Sequence, residues 1–539
     1  MRRRATRSIL FVSVLTAAPS AAQTVGSVGG RSEVFAGSEL ESYVRVLQTV
    51  GAVPLYPWSI RSFSPAELDR LLPLAGDHPW VRRYDWTTEH GGWAFDLVRP
   101  TVAWRFNSSF PYGWNDGALW AGRGVTTAVQ AGFAVRYGPL SLTVAPVAFR
   151  SENVGFALMP TYLSGRLAYA DGLYAQDIDL PQRFGDRPYE MLDPGQSTLR
   201  VDALGVAVGV SSANQFWGPA IDFPFILGDN AAGFPHAFLG SAHPINLWGL
   251  RLHGRMVWGR LEQSRFSPET AAGGRRFMAG FLGVVTLRRV PGLELGLSRF
   301  SHSLWRPGGP TLNDLLRALN SRYGANQVQV ANDNQLASAF FRWVFPQRGV
   351  EVYGEYGRED YNQNLRDLLE EPDHIGGYSY MFGVRTVVRR PGARLISTRI
   401  ELEHAPADVT PSGRERPPVY VHAGEPAQGH TLRGQLLGSA AGLGGAATVV
   451  ALDVYHPGGR WTVQLTRMLR QDAGDFPKSG QANLEARDVQ HAVSVEGLFF
   501  RGRYDFNVGL TGVYELNRNF RGDAFNLSAQ IGIRANLTR

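Results

Sequence analysis

Aromatic and carboxylate side chains concentrate between residues 214 and 240, a stretch that is also dense in Gly and Pro. We expect this stretch to form a rigid loop, because Pro fixes φ and Gly permits tight turns. Aromatic faces next to Arg, Asn and Asp groups are suited to binding sugars. The candidate polysaccharide-binding or loop-organising residues are Phe216, Trp217, Asp222, Asp229 and Asn230 in this loop, and Trp305 and Arg306 further along the chain, with Tyr323 of similar character.

The same loop residues have a purely structural interpretation. Trp217 could pack the loop into its surroundings instead of presenting its ring to a ligand. Asp222 and Asp229 could form a pair of acid–base carboxylates, but a role in bracing the loop through backbone N–H groups is favoured. Both interpretations therefore stay open for this loop.

Catalytic and metal-binding motifs do not accompany these residues. The sequence has no Gly-x-Ser-x-Gly elbow and no His-Glu-x-x-His motif, and His302 between two serines is only a local cluster. Asp229-Asn230 and the segment 332–334 (Asn-Asp-Asn) offer oxygen ligands without the spacing of a known calcium loop. We therefore expect no enzymatic activity, no cofactor and no metal.

The N-terminus has the pattern of an export signal. Four arginines within residues 2–7 precede an apolar run over 9–18 and small residues up to Ala22. This pattern predicts a signal peptide over residues 1–22, since the run is much shorter than the ~20 residues of a membrane-spanning helix. Without these arginines the formal net charge of +7 falls to about +3, which does not favour nucleic acid as a partner. The chain has no cysteine, which excludes disulfides and thiolate chemistry.

The end of the chain shows the clearest regular pattern. Between residues 525 and 537, odd positions are apolar and even positions are polar or Gly. Because successive strand side chains point to opposite faces, this pattern predicts a strand with one apolar and one polar face. The same period of two recurs over 98–106, 125–137, 140–144, 250–258, 277–287, 337–345, 378–388, 461–469 and 504–516.

The polar faces of these strands carry charges, which would be very costly in a dry sandwich core and are natural in the wet lumen of a barrel. The inward residues predicted in this way include Arg136, Arg251, Arg255, Arg385, Arg470, Asp505 and Glu515. Short connections alternate with long ones, which is typical of outer-membrane barrels. At ~25 residues per strand and connection, residues 95–539 predict an all-β, antiparallel outer-membrane barrel of about 16–18 strands.

A helical pattern precedes the strands. Apolar residues recur at helical spacing after Ser38, and the segment 64–67 (Ser-Pro-Ala-Glu) has the form of a capping box. These features predict a small helical region within residues 23–94, on the periplasmic side of the membrane. Two further helical patterns, over 311–323 and 362–371, lie in long loops and are candidates to fold over or into the pore and close it.

Several segments resemble the capsule assembly Wzi family. The most specific are Phe216-Trp217-Gly218-Pro219 and Leu227-Gly228-Asp229-Asn230-Ala231, followed by Pro235. The helical region (Leu47-Gln48, Gly51, Trp58-Ser59-Ile60-Arg61 and Phe63-Ser64-Pro65) and the Gly-rich segment 434–442 are also similar to the family. The resemblance covers nearly the whole chain after the signal peptide.

The resemblance implies an outer-membrane barrel that holds capsular or other extracellular polysaccharide at the cell surface in a lectin-like, non-enzymatic way. The partners expected are this polysaccharide, outer-membrane lipid and lipopolysaccharide, and the chain is expected to be a monomer. A porin-like channel for sugars or other small solutes is the alternative. A hydrolase has no motif to support it.

Overall fold

The protein is described here by a computed structural model, which describes residues 33–71, 78–81, 83, 92–269, 274–319, 333–359, 377–407, 418–422, 426–471 and 487–536. The predicted signal peptide, the pattern at 362–371, Tyr323 and Asn332 lie outside these residues. Within them, no helix is both long and apolar enough to cross a membrane.

Antiparallel strands make up most of the described chain. They are β1 (Trp93–Asn107), β2 (Gly124–Tyr137), β3 (Leu140–Val144), β4 (Val147–Ser151), β5 (Tyr189–Asp193), β6 (Thr198–Ala203), β7 (Val206–Ser211), β8 (His236–Ser241), β9 (Ile245–Leu247), β10 (Leu250–Leu261), β11 (Arg276–Leu287), β12 (Leu293–Leu304), β13 (Asp333–Phe345), β14 (Val350–Glu359), β15 (Tyr378–Arg390), β16 (Arg394–His404), β17 (Thr431–Leu432), β18 (Gln435–Leu436), β19 (Ala446–His456), β20 (Gly459–Gln471), β21 (Asp488–Arg501), β22 (Tyr504–Arg518) and β23 (Gly522–Ala535).

The sheet closes on itself, because β1 pairs with β23 as well as with β2. Three pairs of consecutive segments, β3 with β4, β5 with β6 and β8 with β9, are single strands interrupted by a short break. The separate hairpin β17–β18 does not belong to the wall. The wall is therefore a closed 18-stranded antiparallel barrel, which confirms the predicted fold class.

The two faces of the wall follow the predicted alternation. On β23, Phe525 is 56%, Leu527 38% and Ile531 50% exposed, whereas Asn526 and Ser528 face inward and are buried. An apolar belt on the outer face of such a barrel is the surface that contacts lipid. Tyr137, Trp461, Tyr504 and Tyr514 stand at the edges of the belt and are about half exposed.

The two ends of the barrel differ. One end carries tight turns, such as 138–139, 204–205 and 502–503, and the other carries long connections, such as 108–123, 152–188 and 212–235. In outer-membrane barrels short turns face the periplasm and long loops face outward. We call these the short-turn end and the long-loop end.

The N-terminal helical region is present as predicted. The helix α1 (Glu39–Thr49) begins after Ser38, whose hydroxyl accepts the backbone N–H of Glu41. The helix α2 (Pro65–Leu71) begins after Ser64, and Ser64 and Glu67 form the reciprocal hydrogen bonds of a capping box. Further along the chain are a 3₁₀ helix, Gly165–Tyr169, and α3 (Leu312–Leu315).

The described part of the segment 311–323, residues 311–319, lies neither over nor in the pore. Its described part contains only the short α3, and Leu315 packs outside the wall near Trp258 and Phe277, which belong to the outer faces of β10 and β11. The indole Nε1 of Trp258 donates to the carbonyl of Leu315 at 2.8 Å. The helical pattern was correct over one turn, but periodicity does not specify which side of a barrel wall a loop covers.

Candidate functional site

The N-terminal segment, residues 33–71 with 78–81 and 83, fills the short-turn end of the lumen. Arg45 on α1 pairs with Glu351 on β14 at 2.7 Å, and both side chains are almost fully buried. The backbone N–H groups of Trp58 and Ser59 donate to the Glu294 carboxylate of β12 at 2.9 and 2.8 Å. Buried carboxylates of the wall therefore hold this segment inside the barrel.

Residues 212–235, which we call the central loop, leave the wall between β7 and β8 and cross the lumen. Glu401 of β16 anchors the loop by accepting the backbone N–H groups of residues 221, 222 and 223 at 2.8–2.9 Å. The Tyr353 hydroxyl donates to the same carboxylate at 2.7 Å. One wall carboxylate thus accepts hydrogen bonds from three consecutive backbone N–H groups of the loop. These buried groups would be costly to leave without a partner.

The N-terminal segment and the central loop together form what we call the plug. Phe216 and Trp217 lie in its interior. Phe216 is 2% and Trp217 1% exposed. The Arg61 guanidinium stacks 3.8 Å from the centre of the Phe216 ring. The Trp217 ring packs edge-on against Phe300 and over Gly280, where a Cβ would have no room. This position suits the loop-organising interpretation of both residues, since a ligand from solution cannot reach either ring.

The two carboxylates of the central loop meet different cations. Asp222 pairs with Arg399 of β16 at 3.0 Å. Asp229 is 7% exposed and lies against Gly37 of the N-terminal segment. Burial raises the pKa of Asp229 to about 7, and the Arg61 guanidinium opposes that rise. Within the described part of the chain, Glu401 of the wall, and not Asp222 or Asp229, accepts the backbone N–H groups of residues 221–223.

A third segment, residues 418–422 and 426–445, covers the central loop from the long-loop side. The Nε2–H of His430 donates to the carbonyl of Ile226 at 2.6 Å, and the N–H of Gly228 donates to the carbonyl of Leu437 at 3.0 Å. Burial lowers the pKa of His430 to about 3, so the ring is neutral. Gly438 and Gly442 lie against the Tyr420 ring, where a Cβ would clash, which gives a physical reason for the Gly-rich sequence.

His302 and the segment 332–334, the weaker catalytic and metal-binding candidates, do not form one site, because neighbouring residues of a strand point to opposite faces of the wall. His302 points into the lumen, with its Nδ1 3.3 Å from the Arg276 guanidinium. Asn334 also points inward and donates to Glu359 at 2.7 Å, whereas its neighbour Asp333 lies on the outer face and pairs with Arg317 at 3.0 Å. Among the described residues no group of three or more His, Cys, Asp or Glu side chains could hold a metal ion.

A cleft of about 250 Å³ opens beside the plug at the long-loop end, and we call it the rim cleft. The loop between β1 and β2 contributes the rings of Tyr112, Trp114 and Trp120. Tyr112 and Trp114 meet edge to face with ring centres 5.4 Å apart. All three rings are partly exposed, unlike those of the central loop.

Polar groups line the opposite side of the rim cleft. Arg470 of β20 and Arg518 of β22 each donate to the Glu515 carboxylate, at 2.9 and 2.8 Å, and Gln490 donates to its other oxygen at 2.9 Å. The Arg470 side chain remains 40% exposed. Asn230, at the end of the central loop, also lines the cleft. It is the one predicted site residue found there.

Trp305 and Arg306 lie elsewhere. They follow β12, and Trp305 packs edge-on against Phe277 on the outer face of the wall, with ring centres 6.0 Å apart. Arg306 is exposed to solvent. The structure therefore does not bring these two residues together with Trp217 or Asn230.

Tyr112, Trp114, Trp120, Arg470 and Arg518 are cleft residues that the sequence analysis did not assign to a site. The loop between β1 and β2 has a signal that could have identified it, because the segment 110–114 reads Phe-Pro-Tyr-Gly-Trp. Its proximity to Arg470 and Arg518 arises only because β1 closes the barrel against β23.

A second cavity, of about 290 Å³, lies below the same loop within the lumen. Its lining is polar and includes Asp116, Glu496 and Gln464. Arg105 of β1 pairs with Asp116 and donates to Gln530 at 3.0 Å, so that the loop is tied to the wall between the two cavities. The fold and its interior define an outer-membrane β-barrel whose lumen is occupied by segments of its own chain.

The model of the capsule assembly protein Wzi family matches residues 123–519, which is well over half of the chain. The chain therefore belongs to this family and is an outer-membrane protein. No curated protein sequence matches the chain.

Among solved structures, the chain is similar to the Wzi protein of Escherichia coli, with a TM-score of 0.60 and 14% identity over 94% of this chain and 100% of that chain. That protein is described as an outer-membrane protein involved in group 1 capsule assembly and as a carbohydrate-binding β-barrel. Similarity to the Pseudomonas aeruginosa protein OccK2 is weaker, with a TM-score of 0.41 and 10% identity over 82% of this chain and 96% of that chain.

Proposed function

We propose that this protein binds capsular or other extracellular polysaccharide at the cell surface and that the rim cleft is its binding site. The observation that carries the proposal is the combination of partly exposed aromatic rings with Arg470 and Arg518 at the long-loop end, above a lumen crossed by the plug. The family membership and the carbohydrate binding of the E. coli protein support it.

The chemistry of the cleft suits an acidic sugar chain. The C–H faces of sugar rings pack on aromatic faces, which Tyr112, Trp114 and Trp120 provide. Arg470 and Arg518 share one carboxylate, Glu515, and the acids Asp488 and Asp171 also act on Arg470, so the cation offered to a ligand is the exposed part of the Arg470 guanidinium. Guanidinium groups form paired hydrogen bonds with carboxylates and phosphates, and are suited to uronic acids or similar substituents.

Binding without catalysis is part of the proposal. Glycoside hydrolysis commonly requires two carboxyl groups on either side of the bond that is cleaved. Among the described residues that line the cleft, Asp171 is the one acid. Its Oδ1 accepts the backbone N–H groups of Leu173 and Tyr174, both at 2.9 Å, so it serves the local turn.

Retention at the surface follows from the position of the cleft, since long loops of such barrels face outward. The proposal includes a monomeric chain whose N-terminal segment lies in the lumen at the end that faces the periplasm. A channel for sugars is the alternative function. We expect no large steady conductance from the purified protein in planar bilayers, because the N-terminal segment and central loop cross the lumen; such conductance would favour the channel.

The cleft is tested by Trp114→Ala and Arg470→Gln in cells that make the polysaccharide. Each variant should release polysaccharide from the cell surface into the medium while the barrel stays folded, as judged by heat-modifiable migration on gels. The matched controls are Trp248→Ala and Arg289→Gln in turns of the opposite end, where both residues are exposed. Normal retention by both cleft variants, with folded barrels, would contradict the proposed site.

A further inference from the structure

The outer wall has a groove that no part of the proposed glycan site uses. Its floor is a row of cross-strand partners, each directly opposite the next: Leu142, Leu199, Val210, Ala237 and Trp258. All belong to the lipid-facing side of their strands, and Leu199 and Val210 are 43% and 55% exposed. The groove has a volume of about 590 Å³, and its lining is predominantly apolar.

The groove exists because the wall is interrupted on its long-loop side. The breaks between β3 and β4 and between β5 and β6, together with the departure of the central loop at Ser212, fall beside this row. Beyond it, β5 pairs with β4 along one edge, and no described residue pairs with its other edge. Arg433 bridges the resulting gap from inside, pairing with Asp193 at 2.6 Å and with Glu262 at 3.2 Å.

Aromatic rings form the wall of the groove nearest the long-loop end. Trp258, Phe277 and Trp305 all line it. The loop after Trp305 continues across the outside of the barrel and exposes Leu312 at 72%, Leu316 at 44% and Leu319 at 52%. These leucines extend the apolar surface of the strands, so groove and loop form one continuous membrane-facing surface.

Cations stand at the aromatic end of the groove. Arg260 is the last but one residue of β10, and its side chain is 41% exposed. Arg275 and Arg306 are also exposed, and they are close in space because the N–H of Trp305 donates to the carbonyl of Arg275 at 2.8 Å. Glu262 pairs with Arg260 at 2.8 Å, and Asp314, which lies near Arg306, pairs with a further cation, Arg317, at 2.9 Å. The end of the groove is therefore net positive.

We propose that this groove is a binding site for one lipopolysaccharide molecule of the outer leaflet. One acyl chain lies along the row from Trp258 to Leu142, and the phosphates of the sugar headgroup contact Arg260, Arg275 and Arg306. Two observations favour this occupant: the groove is continuous with the lipid-facing belt, and its cationic end lies on the long-loop side. A phospholipid would fill the same groove with a single phosphate and a smaller headgroup.

The test uses the purified full-length barrel in detergent, titrated with lipopolysaccharide truncated to lipid A and inner core. This probe has no long polysaccharide, so a failure to bind it would count against the lipid groove and not against the proposed polysaccharide site. Phosphatidylglycerol is the comparison lipid. Wild type should bind the truncated lipopolysaccharide with a stoichiometry near one and about tenfold more tightly than phosphatidylglycerol.

Two independent variants address the groove and its cations. Ala237→Trp places a ring over the floor and should weaken binding by about tenfold, whereas Val450→Trp, at an equally lipid-facing position on β19, should not. The double variant Arg275→Gln with Arg306→Gln should abolish the preference for lipopolysaccharide, and Arg288→Gln with Arg289→Gln at the short-turn end serves as its control. Equal binding by both groove variants and wild type, or equal affinity for the two lipids, would overturn the proposal.

Discussion

The central loop and the rim cleft are neighbours in the lumen but are constructed in opposite ways. The aromatic rings of the loop are at most 2% exposed, as in Phe216 and Trp217, and its backbone is anchored by Glu401. The rings of the cleft are partly exposed, and Arg470 keeps 40% of its side chain accessible. The most distinctive sequence of the chain therefore forms the plug, whereas the surface available to a ligand comes from less distinctive loops.

This difference has a physical cause. A loop that fills a lumen must satisfy every backbone group and match the shape of the wall, which restricts its residues tightly. A rim cleft needs only a few convergent groups. We therefore expect substitutions in the central loop to lower the stability of the barrel and substitutions in the rim cleft to weaken the binding of polysaccharide.

The largest expected effect is that of Trp217→Ala. Removing a buried Trp should lower the free energy of unfolding by about 3–5 kcal/mol, because the ring fills the space over Gly280 and against Phe300. Urea unfolding followed by heat-modifiable migration measures this. Trp248→Ala is the control, since Trp248 is 95% exposed. If the Trp217→Ala barrel has normal stability but no longer retains polysaccharide, the central loop would act on binding and not on stability.

Glu401→Gln should have the next largest effect. The charged acceptor of three loop N–H groups and the Tyr353 hydroxyl would become a neutral amide, which should cost about 2–3 kcal/mol. Glu190→Gln is the matched control, because Glu190 pairs with Arg150 at the surface and both side chains are more than half exposed. Equal stability of the two variants would show that the anchor does not hold the plug.

Much of the wall could be predicted from the sequence, because alternation on strands such as β23 directly reports two different surroundings. The capping box at Ser64 and Glu67 could likewise be predicted from the sequence, because its hydrogen bonds join residues that are close in the chain. The family resemblance drew attention to the loop around Trp217, which crosses the lumen in the structure. These features depend on neighbours in the chain or on a repeated contrast between lipid and lumen.

The remaining features depend on contacts between distant parts of the chain. The pattern at 311–323 indicated a helix but not that its leucines would cover the outer wall. The rim cleft joins Trp114 to Arg470 and Arg518 through closure of the barrel, which no local pattern encodes. Asp222 and Asp229 both lie in the central loop, but their partners, Arg399 and the N-terminal segment, come from remote parts of the chain.

The pH dependence of stability should also distinguish the plug. The pKa of Asp229 is about 7 in the folded chain, against 3.8 ordinarily, because the carboxyl is buried. The folded state therefore holds this proton more tightly, so this contribution to stability is full below about pH 4 and is lost as the pH rises to about 7.

Asp229→Asn should flatten the stability profile between pH 4 and pH 7, as measured by urea unfolding at a series of pH values. Asp186→Asn is the control, because the Asp186 side chain is 71% exposed. A profile for Asp229→Asn that still falls as steeply as wild type over this range would contradict the assigned burial of Asp229.

The smallest effect on stability is expected for Trp114→Ala combined with Arg470→Gln in the rim cleft. Both side chains are partly exposed, so we expect only about 1 kcal/mol of destabilisation. The decisive measurement is calorimetric binding of the purified polysaccharide to this double variant, beside wild type and the control Trp248→Ala with Arg289→Gln. We expect at least about a tenfold loss of affinity in the cleft variant, with a folded barrel and an unaffected control. Wild-type affinity in the cleft variant would show that the polysaccharide binds elsewhere.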